Sequence, residues 1–250
     1  TLCGTGTSQG VPVIGGRCKV CQSTNPKDKR LRVSLMIESE ETRIVVDCGP
    51  DFRTQMLRTG VDQLDAILFT HEHADHVAGL DDVRPFNFRS RKNMPLYATD
   101  RVADNLRQRF GYAFDVNPYP GAPKFDLIPI CKDRPFLVNK IRVMPIELMH
   151  GKLQVLGFRI GNVAYMTDMN HIKPEELEKT KGLDVLIVDA LHHHPHHAHF
   201  TIEQAIEFAQ KVNAKQTYFT HLSHSAGLHK ELTQKLPEDI ALGYDGLSFE

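Results

Sequence analysis

Thr70-His71-Glu72-His73-Ala74-Asp75-His76 decides how this chain is read. Four candidate ligands, His71, His73, Asp75 and His76, fall within six consecutive residues. The apolar run Ala66-Ile67-Leu68-Phe69 precedes them and reads as a buried strand. At a strand end, residues two apart project to the same side, so His71 and His73 face one point. Asp75 and His76 follow where a helix is expected to start, and an aspartate suits a helix N-terminus. Imidazoles and a carboxylate converging from so short a piece of backbone suit zinc, manganese or iron. The competing reading is a polar turn that is merely rich in histidine. The H-x-H-x-D-H spacing in a strand-then-helix context argues against it.

Composition sets the frame for this motif. The 250 residues suffice for one large domain with a sizeable core. A formal net charge of −1 gives no global basic field for nucleic acid. No apolar run approaches a membrane span and no signal peptide is visible, so no membrane partner is expected. Five cysteines, with Cys18 and Cys21 spaced C-x-x-C, suit a reducing, cytoplasmic compartment and metal ligation better than a disulfide framework. No internal repeat or linker interrupts the chain.

Upstream of the motif, Leu2 enters a glycine-rich stretch, Gly4-Thr5-Gly6-Thr7-Ser8-Gln9-Gly10. It is either a phosphate-cradling loop or a turn that lets backbone pass close under the metal site. The absence of a following Gly-Lys-Ser/Thr rules out a P-loop, and the turn is the favoured reading. Residues 31–37 and 43–46 read as strands joined by an acidic turn. Asp47 ends the second strand, before Gly49-Pro50 and a helix over 52–58 stopped by Gly60.

Downstream, residues 77–80 continue a short helix. A basic loop over 86–93, with Arg84, Arg89, Arg91 and Lys92, is either a solvated face or a phosphate-facing lid. A strand at 94–98 and a helix at 101–110 follow. The proline- and aromatic-rich segment 111–136 reads as an irregular insertion near the mouth. Strands are expected at 141–146, 155–160 and 163–166, the last two a hairpin around Gly161-Asn162. His150 follows the first of them and Asp168 the last. Residues 183–188 form an apolar strand ending at Asp189. Then comes the histidine-rich run His192-His193-His194-Pro195-His196-His197-Ala198-His199, most of it a loop able to bind stray metal. His199 immediately precedes a helix over 201–211 with a capping-box-like Thr201-x-x-Gln204. A strand at 217–220 ends in His221-Leu222-Ser223-His224.

H-x-H-x-D-H followed in order by His150, Asp168 and His221 resembles the metallo-β-lactamase superfamily of αββα metallohydrolases. The segment Gly4 to Pro12, together with Cys18, Cys21, His199 and His224, resembles one branch of it. That branch is the phosphoribosyl 1,2-cyclic phosphate phosphodiesterases associated with carbon–phosphorus lyase. The resemblance implies an α/β (α+β) fold, a four-layer αββα sandwich, spanning 1–250 as a single domain. It implies two divalent metal ions, Mn2+ or Zn2+, along one edge. The first would take His71, His73 and His150, the second Asp75, His76 and His221, with Asp168 bridging them. Asp47 would orient the metal loop without being a ligand; a helix cap for residues 51–59 is the other reading, and the two are compatible. A structural Zn2+ would be held by Cys18, Cys21 and His224. Gly16 stands where that branch has a further cysteine, which leaves the site with three protein ligands or weakens it.

The activity implied is hydrolysis of a cyclic sugar or nucleotide phosphate by a metal-bridging hydroxide. Asp75 and His199 are the expected catalytic residues, His199 protonating the leaving alkoxide. The partner expected is a small phosphorylated substrate, and a homodimer is compatible with the sequence. The alternatives are a thioester, lactone or β-lactam hydrolase on the same fold, since fold alone does not choose a substrate, or a non-catalytic metal-binding protein using the histidine run. A tRNA-processing nuclease fits less well, because no long basic arm is present.

Overall fold

The computed structural model describes residues 1–249. Two mixed sheets face each other. The first runs β1 (Leu2–Gly4), β2 (Ser34–Glu38), β3 (Arg43–Val46), β4 (Ala66–Leu68), β5 (Met94–Ala98) and β6 (Phe125–Pro129), in that spatial order. The second holds β7 (Phe136–Val138), β8 (Ile141–His150), β9 (Leu153–Ile160), β10 (Val163–Met166), β11 (Val185–Asp189), β12 (Gln216–Thr220) and β13 (Ile240–Leu242), again side by side in chain order. Each sheet begins with antiparallel pairs and ends with parallel ones. β3 to β6 are parallel neighbours in the first, β10 to β13 in the second. Parallel strands are covered on both faces, which is why β4 is a continuous apolar run and fully buried.

The helices are α1 (Lys19–Gln22), α2 (Phe52–Thr59), α3 (Ala74–Val77), α4 (Arg84–Ser90), α5 (Asp100–Arg109), α6 (Pro174–Leu177), α7 (Ile202–Val212) and α8 (His229–Thr233). Three apolar clusters make the layers. Leu35, Val46, Leu68, Leu156, Phe158, Tyr165 and Ile187 fill the space between the sheets. Phe52, Met56, Val102 and Leu106 of α2 and α5 cover the outer face of the first sheet. Ala205, Phe208 and Val212 of α7 cover the second. This is the four-layer αββα sandwich.

α7 illustrates how packing and capping divide the work. The Thr201–Gln204 capping box is present in both directions, and such a cap contributes about 1 kcal/mol. Burying one large apolar side chain contributes about 1.5–3 kcal/mol, and α7 buries Ile202, Phe208 and Val212 among others. Packing therefore holds the helix, and the cap, two residues after His199, decides that it begins at Ile202.

The structure corrects several expectations. The basic loop over 86–93 is mostly helix: α4 opens with a proline in its first turn and ends at Arg91 in the left-handed region. Arg84 pairs with Asp81, and Arg89 donates to the Asp62 carbonyl, in a groove shared with Phe86, Ser90 and Lys92 that holds none of the motif's residues. The segment 111–136 is not irregular throughout, because it contributes edge strand β6. β8 runs on to His150 and pairs with β9 across Gly151-Lys152, with Gly151 at φ 62°. The helix after the motif stops at Val77, and a 3-10 turn over Leu80–Val83 follows.

Candidate active site

The candidate ligands converge because they leave the carboxyl ends of strands from both sheets. Asp47 follows β3, His71 follows β4, His150 ends β8, Asp168 follows β10, Asp189 ends β11 and His221 follows β12. Crevices at the carboxyl ends of parallel strands are where open α/β sheets bind ligands. Three of these residues, Asp47 (φ 64°), Asp168 (φ 54°) and His221 (φ 58°), sit in the left-handed region. Each such residue costs on the order of 1–3 kcal/mol, and such strain collects where surrounding structure imposes it, typically at functional sites. The motif loop is also tightly stacked. A Cβ added at Gly49 would lie 2.0 Å from the Asp75 carbonyl oxygen, and one at Gly79 would lie 2.0 Å from the Gly49 oxygen. Only glycines let the backbone of 49, 75 and 79 approach this closely.

Asp168 is the centre of the arrangement. Its Oδ1 is 3.3 Å from His76 Nε2, and its Oδ2 is 3.4 Å from His221 Nε2, 3.9 Å from His71 Nε2 and 4.0 Å from His150 Nε2. Ligand atoms of His71, His73 and His150 group on one side of it; those of Asp75, His76 and His221 group with Asp168 on the other. His71 Nε2 and His73 Nδ1 are 2.9 Å apart, and Asp75 Oδ2 is 3.3 Å from His76 Nε2. His71, His76, Asp168 and His221 are buried, while His73 is exposed and Asp75 partly so; the cluster opens there.

A second set of bonds aims these rings. Asp47 Oδ2 accepts from His76 Nδ1 at 2.7 Å and from the Thr70 hydroxyl at 2.8 Å, and Oδ1 accepts from the Thr70 amide. The Thr70 oxygen in turn accepts from His71 Nδ1 at 3.0 Å. His150 Nδ1 donates to the Ala198 carbonyl at 2.9 Å. Each of these three rings therefore carries its proton on Nδ1 and presents a bare Nε2 inward, the tautomer a metal ligand needs. Asp47 is thus the orienting residue. It is not a helix cap; Asp51 stands at the start of α2 and pairs with Arg32 instead.

Electrostatics show how strongly the carboxylates draw positive charge to this point, a cation or, in its place, a proton on His76. Burial opposes charge throughout, yet His221, His76 and His71 hold the Asp168 carboxyl well below its ordinary range. Asp75 is likewise pulled down, chiefly by His76 against its own burial. Burial and the neighbouring His76 push His71 well down, whereas Asp168, Asp75 and Asp47 outweigh burial and hold His76 well up. Buried carboxylates demand compensating charge. His76 Nε2 and His221 Nε2 are buried with no hydrogen-bond partner, and both approach Asp168. Orphaned nitrogens around a shared carboxylate, with imidazole and carboxylate donors only, fit divalent metal, which Asp168 and the two groups beside it would hold.

His199 and Asp189 complete the wall. His199 Nδ1 donates to Asp189 Oδ2 at 2.9 Å, and His199 Nε2 lies 4.0 Å from Asp168 Oδ2. Burial lowers the His199 imidazole, but the Asp189 charge and hydrogen bond outweigh it and carry it up to about 9. Asp189 also accepts from the Met169 and Phe200 amides and faces His221 Nδ1 at 3.5 Å. Sequence reading placed Asp189 at a strand end without giving it a role. The signal was there: like Asp47 and Asp168, it is an aspartate closing an apolar strand.

The remaining expectations divide. The amides of Gly6, Thr7 and Gly10 are all bonded within the protein, Thr7 to the Leu222 carbonyl beside His221. The glycine stretch is therefore the close-passing turn, and these amides leave no anion cradle. Cys18, Cys21 and His224 do come together, with Cys18 Sγ 3.6 Å from His224 Nδ1. A Cβ at Gly16 would lie 2.5 Å from Cys21 Sγ, so position 16 borders this cluster without supplying a ligand. Among the described residues, no metal-ligand grouping is built from the histidines at 192–197.

Comparison with known proteins places the chain in a class. The β-lactamase superfamily domain model matches residues 42–222, so the chain belongs to the metallo-β-lactamase superfamily. Among solved structures, a diphosphatase of the PhnP family is 40% identical, with a TM-score of 0.93 over 99% of this chain and 94% of that one. Zinc-bound PqqB from Methylobacterium extorquens shares the fold at 17% identity, with a TM-score of 0.80 over 100% and 98% of the two chains. An octanoyltransferase of Porphyromonas gingivalis is 45% identical over 248 residues, which is 98% of this chain and 50% of that protein. The chain thus spans half the length of that curated relative. Among the described residues, no helix is long and apolar enough to cross a membrane.

Proposed function

We propose that the chain is a two-metal phosphodiesterase that opens a cyclic phosphate ester of a sugar, such as a phosphoribosyl 1,2-cyclic phosphate. The observation that carries this reading is the Asp189–His199 pair facing the ligand cluster. When bound, paired divalent cations lower the pKa of water and neutralise charge on phosphoryl oxygens. That leaves one task to the protein, protonation of the leaving oxygen, and a sugar alkoxide needs it. His199 holds a proton at Nε2 beside Asp168, and Asp189 fixes the ring from behind. His71, His73 and His150 would hold one cation and Asp75, His76 and His221 the other, with Asp168 shared. Asp75 enters the chemistry through this placement at the open side of the cluster.

The name of the 40% identical neighbour favours a second reading, cleavage of a diphosphate bond. A phosphate leaving group depends less on an acid than an alkoxide does, so the two readings differ in what His199 is for. The octanoyltransferase name belongs to a protein twice as long. The cluster described here holds imidazoles and carboxylates, with no thiol or amine to carry an acyl group. The test is a panel of cyclic diesters, monoesters, diphosphates, thioesters and lactams, run with manganese and with zinc. A cyclic diester should turn over fastest. A diphosphate turning over faster than every diester would establish the second reading, and a thioester or lactam doing so would overturn both.

A further inference from the structure

Glu72 stands between His71 and His73, and its side chain is engaged elsewhere. In extended backbone neighbouring side chains alternate, so with both imidazoles turned to the ligand cluster Glu72 is turned away from it. There it meets Arg101, in the first turn of α5. Arg101 Nε lies 3.1 Å from Glu72 Oε1 and 3.2 Å from Oε2, and Arg101 Nη2 donates to the Gln154 carbonyl of β9 at 2.5 Å. One guanidinium thus ties the loop after β4, the start of α5 and β9 together. Lys132 lines the same cleft as Arg101, but Glu147 takes it at 3.1 Å, so it does not compete for Glu72.

The loop's own main chain supplies little support at this point. Its flanks are held: the Thr70 carbonyl accepts from the Leu156 amide at 3.0 Å, and the His73 carbonyl from the His76 amide at 3.0 Å. Between them, among the described residues, the amides of His71, Glu72 and His73 donate to no main-chain carbonyl. His73 is also the candidate ligand whose ring is least supported. His71, His76 and His150 each have Nδ1 bonded outside the cluster. His73 Nδ1 instead faces His71 Nε2 at 2.9 Å, and the residue is exposed. At the start of α3 its side chain makes no capping bond.

We propose that Glu72 and Arg101 are positioning residues for His73: their ion pair sets the turn between the two histidines, and with it the affinity of the cation that His71, His73 and His150 would hold. Arginine suits the place because its flat fork serves a carboxylate and a carbonyl from separate edges, which a single lysine ammonium does less well. The Arg101 and Glu72 side chains are 43% and 16% exposed, so the pair contributes little to overall stability. Its effect falls on one metal and leaves the fold alone. The proposal rests on the two-metal reading above and is independent of the substrate.

The experiment titrates the full chain, stripped of active-site metal, with Mn2+, which thiolate ligands do not favour, and reads free Mn2+ by electron paramagnetic resonance. Thermal melting of the stripped protein runs alongside. Wild type should bind two ions. Glu72→Gln and Arg101→Ala should each weaken one of them about three- to tenfold and leave the other, with the melting temperature nearly unchanged. Arg101→Lys should fall between wild type and Arg101→Ala. His73→Ala identifies the ion: in that background Arg101→Ala should weaken binding no further, because the ligand it aims is gone, whereas an independent contribution to folding would add. Unchanged affinity in both Glu72→Gln and Arg101→Ala, equal weakening of both ions, or full additivity with His73→Ala overturns the positioning role and leaves the two-metal reading intact. A wild type that binds no second ion overturns the two-metal reading and the positioning role with it.

Discussion

Asp47 Oδ2 lies 2.7 Å from His76 Nδ1, and both side chains are fully shielded from solvent. This contact joins the end of β3 to the start of α3. It fixes which nitrogen of His76 carries the proton, and therefore which one faces Asp168. The Thr70 hydroxyl extends the same control to His71, so one carboxylate aims two candidate ligands from opposite groups.

Asp47→Asn tests that control with almost no change of volume. The amide oxygen can still accept from the Thr70 backbone, but the amide nitrogen would meet the His76 Nδ1 proton donor to donor. Losing a carboxylate that orients a ligand histidine commonly costs about 10–100-fold in metal affinity. Competition against a chelator of known affinity should reveal a loss of that size. Wild-type affinity in the variant would show that Asp47 matters only for folding.

Asp168→Ala should do more. Five imidazoles, that of His199 included, approach this carboxylate within 4.0 Å, and it lies between the two ligand groups. Without it, two cations held close together would repel with no shared anion between them. The variant should lose bound metal and nearly all hydrolysis, read by elemental analysis and by turnover of an aryl diester. Full activity with two metals retained per chain would remove Asp168 from the centre of the site.

The cysteine cluster predicts a different signature. If Cys18, Cys21 and His224 share a zinc, Cys18→Ser should release one metal and lower the melting temperature, because a structural site ties folding to metal binding. The active-site metals should stay. A Cys18→Ser/Cys21→Ser double variant with unchanged metal content and stability would mean that glycine at 16 has abolished the site.

Much of this was legible in the chain, for identifiable reasons. The strand before His71 is apolar on both faces and short, so its period and length pointed to a buried parallel strand. Capping chemistry gave the start of α7 from Thr201 and Gln204 alone. The basic run at 84–92 read as a loop, by default a solvated face, because charge pattern reports exposure and does not report secondary structure. The segment is largely a helix, on which Arg84 pairs with Asp81 and Arg89 donates to the Asp62 carbonyl. The segment 111–136 hid an edge strand because β6 contains two polar or proline positions in five and is nowhere fully buried, so alternation was weak. Asp189 was passed over because its work is on two neighbours distant in sequence. What reads as one more strand end is, in space, the partner of His199.

That partnership gives the sharpest test. His199 is the proposed acid, and an acid matters in proportion to how badly the leaving group needs a proton. Protonating a poor leaving group typically contributes about 10²–10⁴-fold, whereas a nitrophenolate leaves without help. His199→Ala should therefore slow a cyclic sugar phosphodiester by a factor in that range and an aryl diester much less, with metal content unchanged. The last condition matters because His199 Nε2 is as near to Asp168 Oδ2 as His150 Nε2 is, 4.0 Å in each case. A loss of metal would make His199 a ligand, and equal slowing of both esters would make it a positioning group. Asp189→Asn adds a pH test. Asp189 holds the His199 imidazole up to about 9, and the acid acts only while protonated, so sugar-ester hydrolysis should fall as pH rises through that value. Neutralising Asp189 lowers the His199 pKa and should move the alkaline limb of kcat/KM to lower pH for the sugar ester. A limb that stays in place would separate Asp189 from the acid and leave it only its bonds to the Met169 and Phe200 amides.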